Sequence, residues 1–225
     1  DYPVALNESS EPVVVDWEGC KFNEVPVHNI TVPAAPVFPC DQVTWFSPEP
    51  QKELFRRTIL ATRHNFNNSN VIFNIARARL SMPEAVEEAR KWFISRELPN
   101  GLFKWQGHAH GTFMGEMIGI AGLINEFLMQ SVQNKIRLFP CWPAGSDAKF
   151  SRLCAQGGFI VSSEFRDGKV VSATIESKAG NQLQLLSPWK TIFVDGQMTS
   201  IDQDGMVTIE TFPGQILQLS GNQID

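Results

Sequence analysis

The sequence predicts an α+β fold in which a helical half is followed by an antiparallel β half. Prolines recur through the first 50 residues, apolar side chains then repeat at helical spacing, and after residue 135 β-rich runs alternate with Asp-Gly turns. These three patterns divide the chain into a Pro-rich extended arm over residues 1–47, a helical part over residues 48–134 and a β-domain over residues 135–225.

The composition limits the classes of partner. Charged residues make up 19% of the 225 residues, the net charge is −5, and no block of basic residues occurs, so we expect no nucleic-acid partner. The longest apolar run, Met117–Met129, is interrupted by Asn125 and Glu126. It is too short to span a bilayer, so we expect no membrane association.

The four cysteines do not have the spacing of a metal site, since the sequence contains no CxxC pair and no Cys/His ligand pattern. We therefore expect neither a metal nor another cofactor. Cys141 and Cys154 could pair in an oxidising compartment, although free buried thiols are the favoured interpretation.

The first 47 residues are predicted to run over other parts of the protein without forming a domain of their own. The prolines of the first 50 residues are at positions 3, 12, 26, 33, 36, 39, 48 and 50. This spacing is too dense for helix interiors or central strands. Val13–Val15 and Val25–Val27 are each suited to a short edge strand.

Four helices are predicted between residues 47 and 131. The first starts at Ser47, a capping residue, with Pro48 in the first helical position. Ser69 opens the second, and the asparagine-rich stretch over residues 65–70 predicts turn and cap chemistry there. The third follows Met82–Pro83 and ends at the turn Leu98–Gly101.

The fourth predicted helix, Glu116–Ser131, is apolar on almost every face. An ordinary surface helix carries one apolar stripe, so a helix of this kind is enclosed by neighbours on all sides. Three further helices are too few to enclose it. The chain is therefore either a distorted bundle or the end of a larger helical assembly, and we favour the second.

Residues 135–222 predict an antiparallel β-domain, a small β-sandwich of about seven strands. Asp167–Gly168 lies between two β-rich runs, which is a strong hairpin signal. Asp195–Gly196 and Asp204–Gly205 repeat this pattern. The β-domain begins within a few residues of the end of the fourth helix.

Six motifs occur in a fixed order along the middle of the chain. They are Pro99–Phe103, His110–Glu116, Ile124–Ser131, Arg137–Pro140, Ala155–Phe159 and Asp167–Val170. In this order they resemble the C-terminal third of glycoside hydrolase family 95, the α-L-fucosidase and α-L-galactosidase family. The resemblance is good over residues 40–190 and poor over residues 1–40. It implies partial (α/α)6-barrel helices followed by a small closing β-domain.

The resemblance also implies one catalytic residue. In that family the pattern His-x-x-Phe-x-x-Asp introduces an inner barrel helix, the Asp assists the general base, and Gly-Asn-Phe-Gly follows. Here His110 and Phe113 fall in frame, Glu116 replaces the Asp, and Met117–Gly119 is one residue shorter than the family's sequence. Glu116 is therefore either this catalytic carboxylate or a carboxylate that the helix dipole stabilises at a helix start.

The loop before Glu116 is the candidate substrate-binding segment. Trp105 and Gln106 lie in this loop, and the aromatic face of Trp105 is suited to packing against a sugar ring and equally to forming a lid over the core. His108 and His110 are interpreted either as lining a sugar pocket or as solvated loop residues. A metal pair at these two histidines has no third ligand nearby in the sequence.

The resemblance implies that the chain is the C-terminal part of an inverting glycoside hydrolase with a carbohydrate substrate, an α-L-fucoside or a related sugar. An inverting enzyme holds two carboxyl groups about 6.5–9.5 Å apart around a water. The family's general acid and paired asparagines have no counterpart here, so the chain holds at most half of an active site. The alternative is a non-catalytic carbohydrate-binding or structural assembly domain related to such enzymes. We also expect a secreted or periplasmic protein whose helical part is covered by another chain or a preceding region.

Overall fold

The architecture is described for residues 1–24, 32–63, 67–104 and 114–223 of a computed structural model. The chain forms two compact units, Asp1–Ile124 and Asn125–Asp225. Helices precede antiparallel-rich sheets, which confirms the predicted α+β class. The finer division at residues 47 and 134 stays a prediction. Within the described residues, no helix combines the length and the apolar character needed to cross a lipid bilayer.

The N-terminal arm contains one short hairpin. β1 (Val4–Leu6) pairs antiparallel with β2 (Pro12–Val14), so one of the two predicted edge strands is confirmed. Asn7 closes the turn between them, because its side-chain oxygen accepts hydrogen bonds from the backbone N–H groups of Ser9 and Glu11, both at 2.9 Å. The other predicted edge strand lies outside the described residues.

The first helix, α1 (Glu49–Ala61), holds this hairpin in place. The backbone N–H of Val14 donates a hydrogen bond of 2.8 Å to the hydroxyl of Thr58. The ring of Tyr2 packs edge-on against Phe55 with 4.9 Å between the ring centroids. The arm is therefore attached to α1 by one buried hydrogen bond and by aromatic packing.

α1 begins differently from the prediction. Pro48, not Ser47, takes the N-cap position, and the Ser47 hydroxyl accepts a hydrogen bond of 2.9 Å from the backbone N–H of Thr44. The Ser47 hydroxyl therefore stabilises the turn before α1 and does not cap the helix. The next two helices are α2 (Asn67–Arg79) and α3 (Ala85–Ile94). The apolar core of this unit includes Val14, Ala34, Val37, Val43, Phe55, Ile59, Phe73, Ala76, Leu80 and Met82.

The fourth helix, α4 (Met114–Leu128), ends three residues before the predicted position, because a strand takes over at once. That strand, β3 (Met129–Val132), pairs antiparallel with β4 (Lys135–Leu138). Gln133 and Asn134 form the turn with φ angles of 50° and 60°, a conformation that two-residue hairpins favour. The backbone groups of residues 129–132 pair with β4, so these residues form a strand, although residues 129–131 were predicted to be helical.

The second unit contains ten strands among its described residues, arranged in two sheets. The strands after β4 are β5 (Ala148–Ala155), β6 (Phe159–Arg166), β7 (Lys169–Ser177), β8 (Leu183–Leu186), β9 (Trp189–Val194), β10 (Gln197–Thr199), β11 (Met206–Ile209) and β12 (Ile216–Gln223). One sheet has the order β10-β9-β12-β7-β6-β5 and the other β11-β8-β4-β3. Neighbouring strands are antiparallel, except for β4 and β8. The predicted count is too low, because strands of three or four residues show too little alternation to be recognised.

Two of the three predicted hairpins are confirmed. Asp167–Gly168 joins β6 to β7, and Asp195–Gly196 joins β9 to β10. The third prediction is wrong, because the strand after Asp204–Gly205 is β11, which pairs with β8 in the other sheet. The turn signal therefore identifies a change of direction there, but not the strand that becomes the partner.

A single apolar core joins the two sheets of this unit, which makes the domain β-sandwich-like. Its fully buried members include Val161 and Ile175 from the six-stranded sheet and Ile136, Leu183 and Leu185 from the four-stranded sheet. Trp189, also fully buried, donates a hydrogen bond of 2.9 Å from its indole N–H to the carbonyl of Val170. The largest core side chain is thus fixed in orientation as well as in position.

Candidate functional site

The structure only partly describes the predicted substrate-binding segment. Trp105, Gln106, His108 and His110 lie outside the described residues, and their assignment stays a prediction. The backbone of Glu116 forms the third residue of α4. Its side chain lies outside the described part of the structure. This position in the first helical turn is the one at which the helix dipole favours a carboxylate, whichever role Glu116 has.

A buried polar row on α2 was not predicted by the sequence analysis. Asn70, Asn74 and Arg77 follow one another at helical spacing, and all three are buried. The Asn74 amide donates to both the backbone and the side-chain oxygen of Asn70, at 2.9 and 2.8 Å, while its own oxygen accepts from Arg77 at 3.0 Å. Asn70 therefore lies inside the helix, and its predicted role in a turn or cap is wrong.

Arg77 carries a positive charge into the N-terminal unit. Arg77 is buried, and this burial lowers the pKa of its guanidinium group. The negative charges of Glu84 and Glu88 raise the same pKa. The Nε atom of Arg77 has no hydrogen-bond partner. By contrast, Arg79, which follows Arg77 by two residues, forms an ion pair with Asp41. Arg77 lies in the last turn of α2, where the helix dipole favours a cation.

A polar cleft of about 380 Å³ lies in the same unit. Its walls come from three separate segments: the turn after β1, a short 3-10 helix over Phe22–Glu24, and the end of α1. The lining residues are Asn7, Glu8, Ser9, Phe22, Asn23, Ala61 and Arg63. Sequence analysis could not identify this cleft, because its residues lie up to 56 positions apart in the chain.

In the C-terminal unit, the most buried polar pair is Gln130 with Arg137. The two residues lie opposite each other on β3 and β4, and the Nε of Arg137 donates a hydrogen bond of 2.8 Å to the side-chain oxygen of Gln130. Both residues belong to motifs on which the family resemblance rests. Their hydrogen bond locks the register of the hairpin that follows α4.

The described residues do not form a metal centre. Among them, no group of three or more His, Cys, Asp or Glu side chains is placed to hold a metal ion. All four cysteines lie within the described ranges, and none of them forms a disulfide bond. The expectation that Cys141 and Cys154 are buried is wrong, because Cys141 is half-buried and Cys154 is exposed.

The fold defines a helical unit that passes directly into a small β-sandwich-like domain. Residues 130–219 of that domain match the family model described as glycoside hydrolase family 95, C-terminal domain. The C-terminal domain of the chain is therefore similar to that of glycoside hydrolase family 95, and the resemblance inferred from the sequence is confirmed for these residues. No curated protein matches the chain.

Proposed function

We propose that the chain is the C-terminal part of an inverting glycoside hydrolase that acts on α-L-fucosides or related sugars, with its general acid outside this chain. The observation that carries the proposal is the family match over residues 130–219. The match starts at the second residue of β3, directly after α4. The matched domain thus follows the helix that the resemblance assigns to the end of an (α/α)6 barrel.

Exposed apolar side chains on the helices support the proposal that they belong to a larger barrel. On α4, Leu123 is buried, and a Cβ atom at Gly119 would lie 3.4 Å from the side chain of Val71, so this part of α4 packs within the unit. Ile118 and Ile124, however, are 69% and 46% exposed. A helix of this composition requires neighbours on several faces, which further barrel helices or another chain would supply.

Glu116 is the residue to which we assign a catalytic role. Inverting hydrolysis requires a carboxylate that draws a proton from the attacking water while an acid on the other side protonates the leaving oxygen. In our proposal, Glu116 assists the base, and the acid comes from the preceding part of the protein. Trp105, Gln106, His108 and His110 are proposed to contact the sugar. The longer Glu side chain and the shorter Met117–Gly119 segment place the carboxylate differently from the family's Asp.

The experiment is turnover of nitrophenyl α-L-fucoside and α-L-galactoside by a full-length form of the protein. We expect Glu116→Gln to lower kcat by about 100-fold or more, because proton transfer by a positioned side chain contributes about that much. Glu87→Gln is the matched control, since Glu87 is exposed on α3 and forms only a weak ion pair with Arg90 at 3.7 Å. Unchanged turnover in Glu116→Gln would remove Glu116 from the mechanism.

A non-catalytic carbohydrate-binding or assembly domain is the second candidate. The departure from the family's pattern favours it: Glu116 replaces the Asp, and the segment Met117–Gly119 after it is one residue shorter. It predicts sugar binding without hydrolysis by any full-length form. In either case we propose a carbohydrate ligand and a secreted or periplasmic location, which fractionation of the source cells would test.

A further inference from the structure

The cleft of the N-terminal unit has features of a ligand site. It is lined by residues between Asn7 and Arg63. Its volume of about 380 Å³ is at the small end of the range for ligand pockets, about 300–1,000 Å³. A ligand of one or two small rings matches this size.

Local hydrogen bonds hold each of its three walls. The Asn7 side chain fixes the turn after β1. In the 3-10 helix, the carboxylate of Glu24 accepts a hydrogen bond of 3.1 Å from the backbone N–H of Lys21. At the end of α1, the hydroxyl of Thr62 donates a hydrogen bond of 2.6 Å to the carbonyl of Thr58. The cleft is therefore largely pre-formed, which lowers the entropic cost of binding a ligand.

The charges of the lining residues indicate a neutral ligand. Glu8 and Arg63 contribute one negative and one positive charge to the same cleft. An anion is attracted by Arg63 and repelled by Glu8, and the reverse holds for a cation, so neither gains a clear net attraction, while both lose hydration on entry. A hydroxyl group suits both side chains, because it donates to a carboxylate and accepts from a guanidinium.

The remaining lining residues add an apolar face and a second bifunctional group. Phe22 provides an aromatic ring, which packs against the C–H face of a saturated ring. Asn23 provides an amide that both donates and accepts hydrogen bonds. A compact ring that carries several hydroxyl groups matches these polar and aromatic side chains.

We propose that this cleft binds a neutral polyhydroxylated ring, a monosaccharide or a disaccharide, as an accessory sugar site. The proposal does not depend on the hydrolase activity, because it rests on the cleft residues alone. It predicts that sugar binding weakens when the cleft residues are replaced, whether or not the protein hydrolyses a glycoside.

The test is isothermal titration of the full chain with a panel of neutral monosaccharides and disaccharides, and with inorganic phosphate as the anionic probe. We expect Phe22→Ala and Asn23→Ala each to weaken sugar binding by about tenfold, the worth of one good contact. Phe212→Ala is the control, since Phe212 is 63% exposed and lies in the other unit.

Three results would overturn the proposal: no binding of any neutral sugar, equal affinity in wild type and both cleft variants, or tighter binding of phosphate than of sugar. Asn23 is exposed, so its variant remains informative even if Phe22→Ala lowers the thermal unfolding midpoint. Failure of the hydrolase proposal gives a different pattern, namely sugar binding at the cleft with no turnover of either glycoside.

Discussion

Substitution of Gly221 by Ala is predicted to disrupt the centre of the C-terminal unit. β12, which contains Gly221, lies between β7 and β9 in the six-stranded sheet. A Cβ atom at this position would lie 2.6 Å from the Cβ of Trp189, and closer still to the carbonyl oxygen of Thr191. Real Cβ atoms do not approach backbone or core atoms to this distance, so β12 or β9 must move.

The expected cost is at the upper end of the range for overpacking. Inserting a methyl group into a close-packed core costs about 1–3 kcal/mol. Here the nearest atom belongs to a backbone that is hydrogen-bonded in the sheet, and Trp189 is fully buried, so neither can give way easily. We therefore expect a loss of about 3 kcal/mol, which for a domain of about 100 residues lowers Tm by about 12–24 °C.

The assay is thermal unfolding combined with hydrogen exchange of peptides from the two units. Gly145→Ala is the matched control, because a Cβ at Gly145 meets no atom within 4 Å. In Gly221→Ala we expect faster exchange in β9 and β12, with the peptides of α1 to α3 unchanged. A Tm within about 3 °C of that of Gly145→Ala would refute the packing argument, since about 1 kcal/mol shifts Tm by 4–8 °C in a domain of this size.

Two further predictions concern single side chains. Trp189→Phe is expected to cost about 2 kcal/mol of unfolding free energy, because it removes the indole hydrogen bond to Val170 from the core; an unchanged denaturation midpoint would contradict this. Hydrogen bonds from Lys52 and then Arg56 lower the pKa of Glu49 from 4.5 to about 2, so its stabilising contribution is present above pH 4.5 and is lost as the pH falls towards 2. An NMR titration of the Glu49 carboxyl measures this midpoint, and Lys52→Met is expected to raise it.

Local patterns predicted the elements whose stability is local. The hairpin at Asp167–Gly168 follows from the turn residues and from the alternation of β6, which places buried and less buried side chains on opposite faces. In the same way, valines near residue 13 predicted a strand, and that strand is formed. For these elements, the residues within about ten positions of the turn or strand were enough to predict the secondary structure.

Two elements whose structure depends on strand pairing were not predicted correctly. Residues 129–131 were predicted to end the fourth helix, and the pairing with β4 makes them part of a strand. β11 pairs with β8, some 20 residues earlier in the chain, so the Asp204–Gly205 turn could not reveal its partner. Strand pairing decides the structure at both places. The partner is the next strand in the first case and a strand some 20 residues away in the second.

The polar features of the N-terminal unit were missed for two different reasons. The row of Asn70, Asn74 and Arg77 has helical spacing in the sequence, but asparagine-rich stretches usually form turns, so the local preference was misleading. The cleft, in contrast, combines three segments that only tertiary packing brings together. The helical periodicity of polar residues is the signal that could have identified the first, and no sequence signal identifies the second.

The most direct test of the central claim is the configuration of the first sugar released from nitrophenyl α-L-fucoside or α-L-galactoside by a full-length form of the protein. Proton NMR within the first minutes of reaction distinguishes the two anomers before they interconvert. An inverting glycoside hydrolase releases the β-anomer first, and this is the result that we predict. Release of the α-anomer would contradict the mechanism, and no release from either glycoside would contradict the proposed hydrolase function itself.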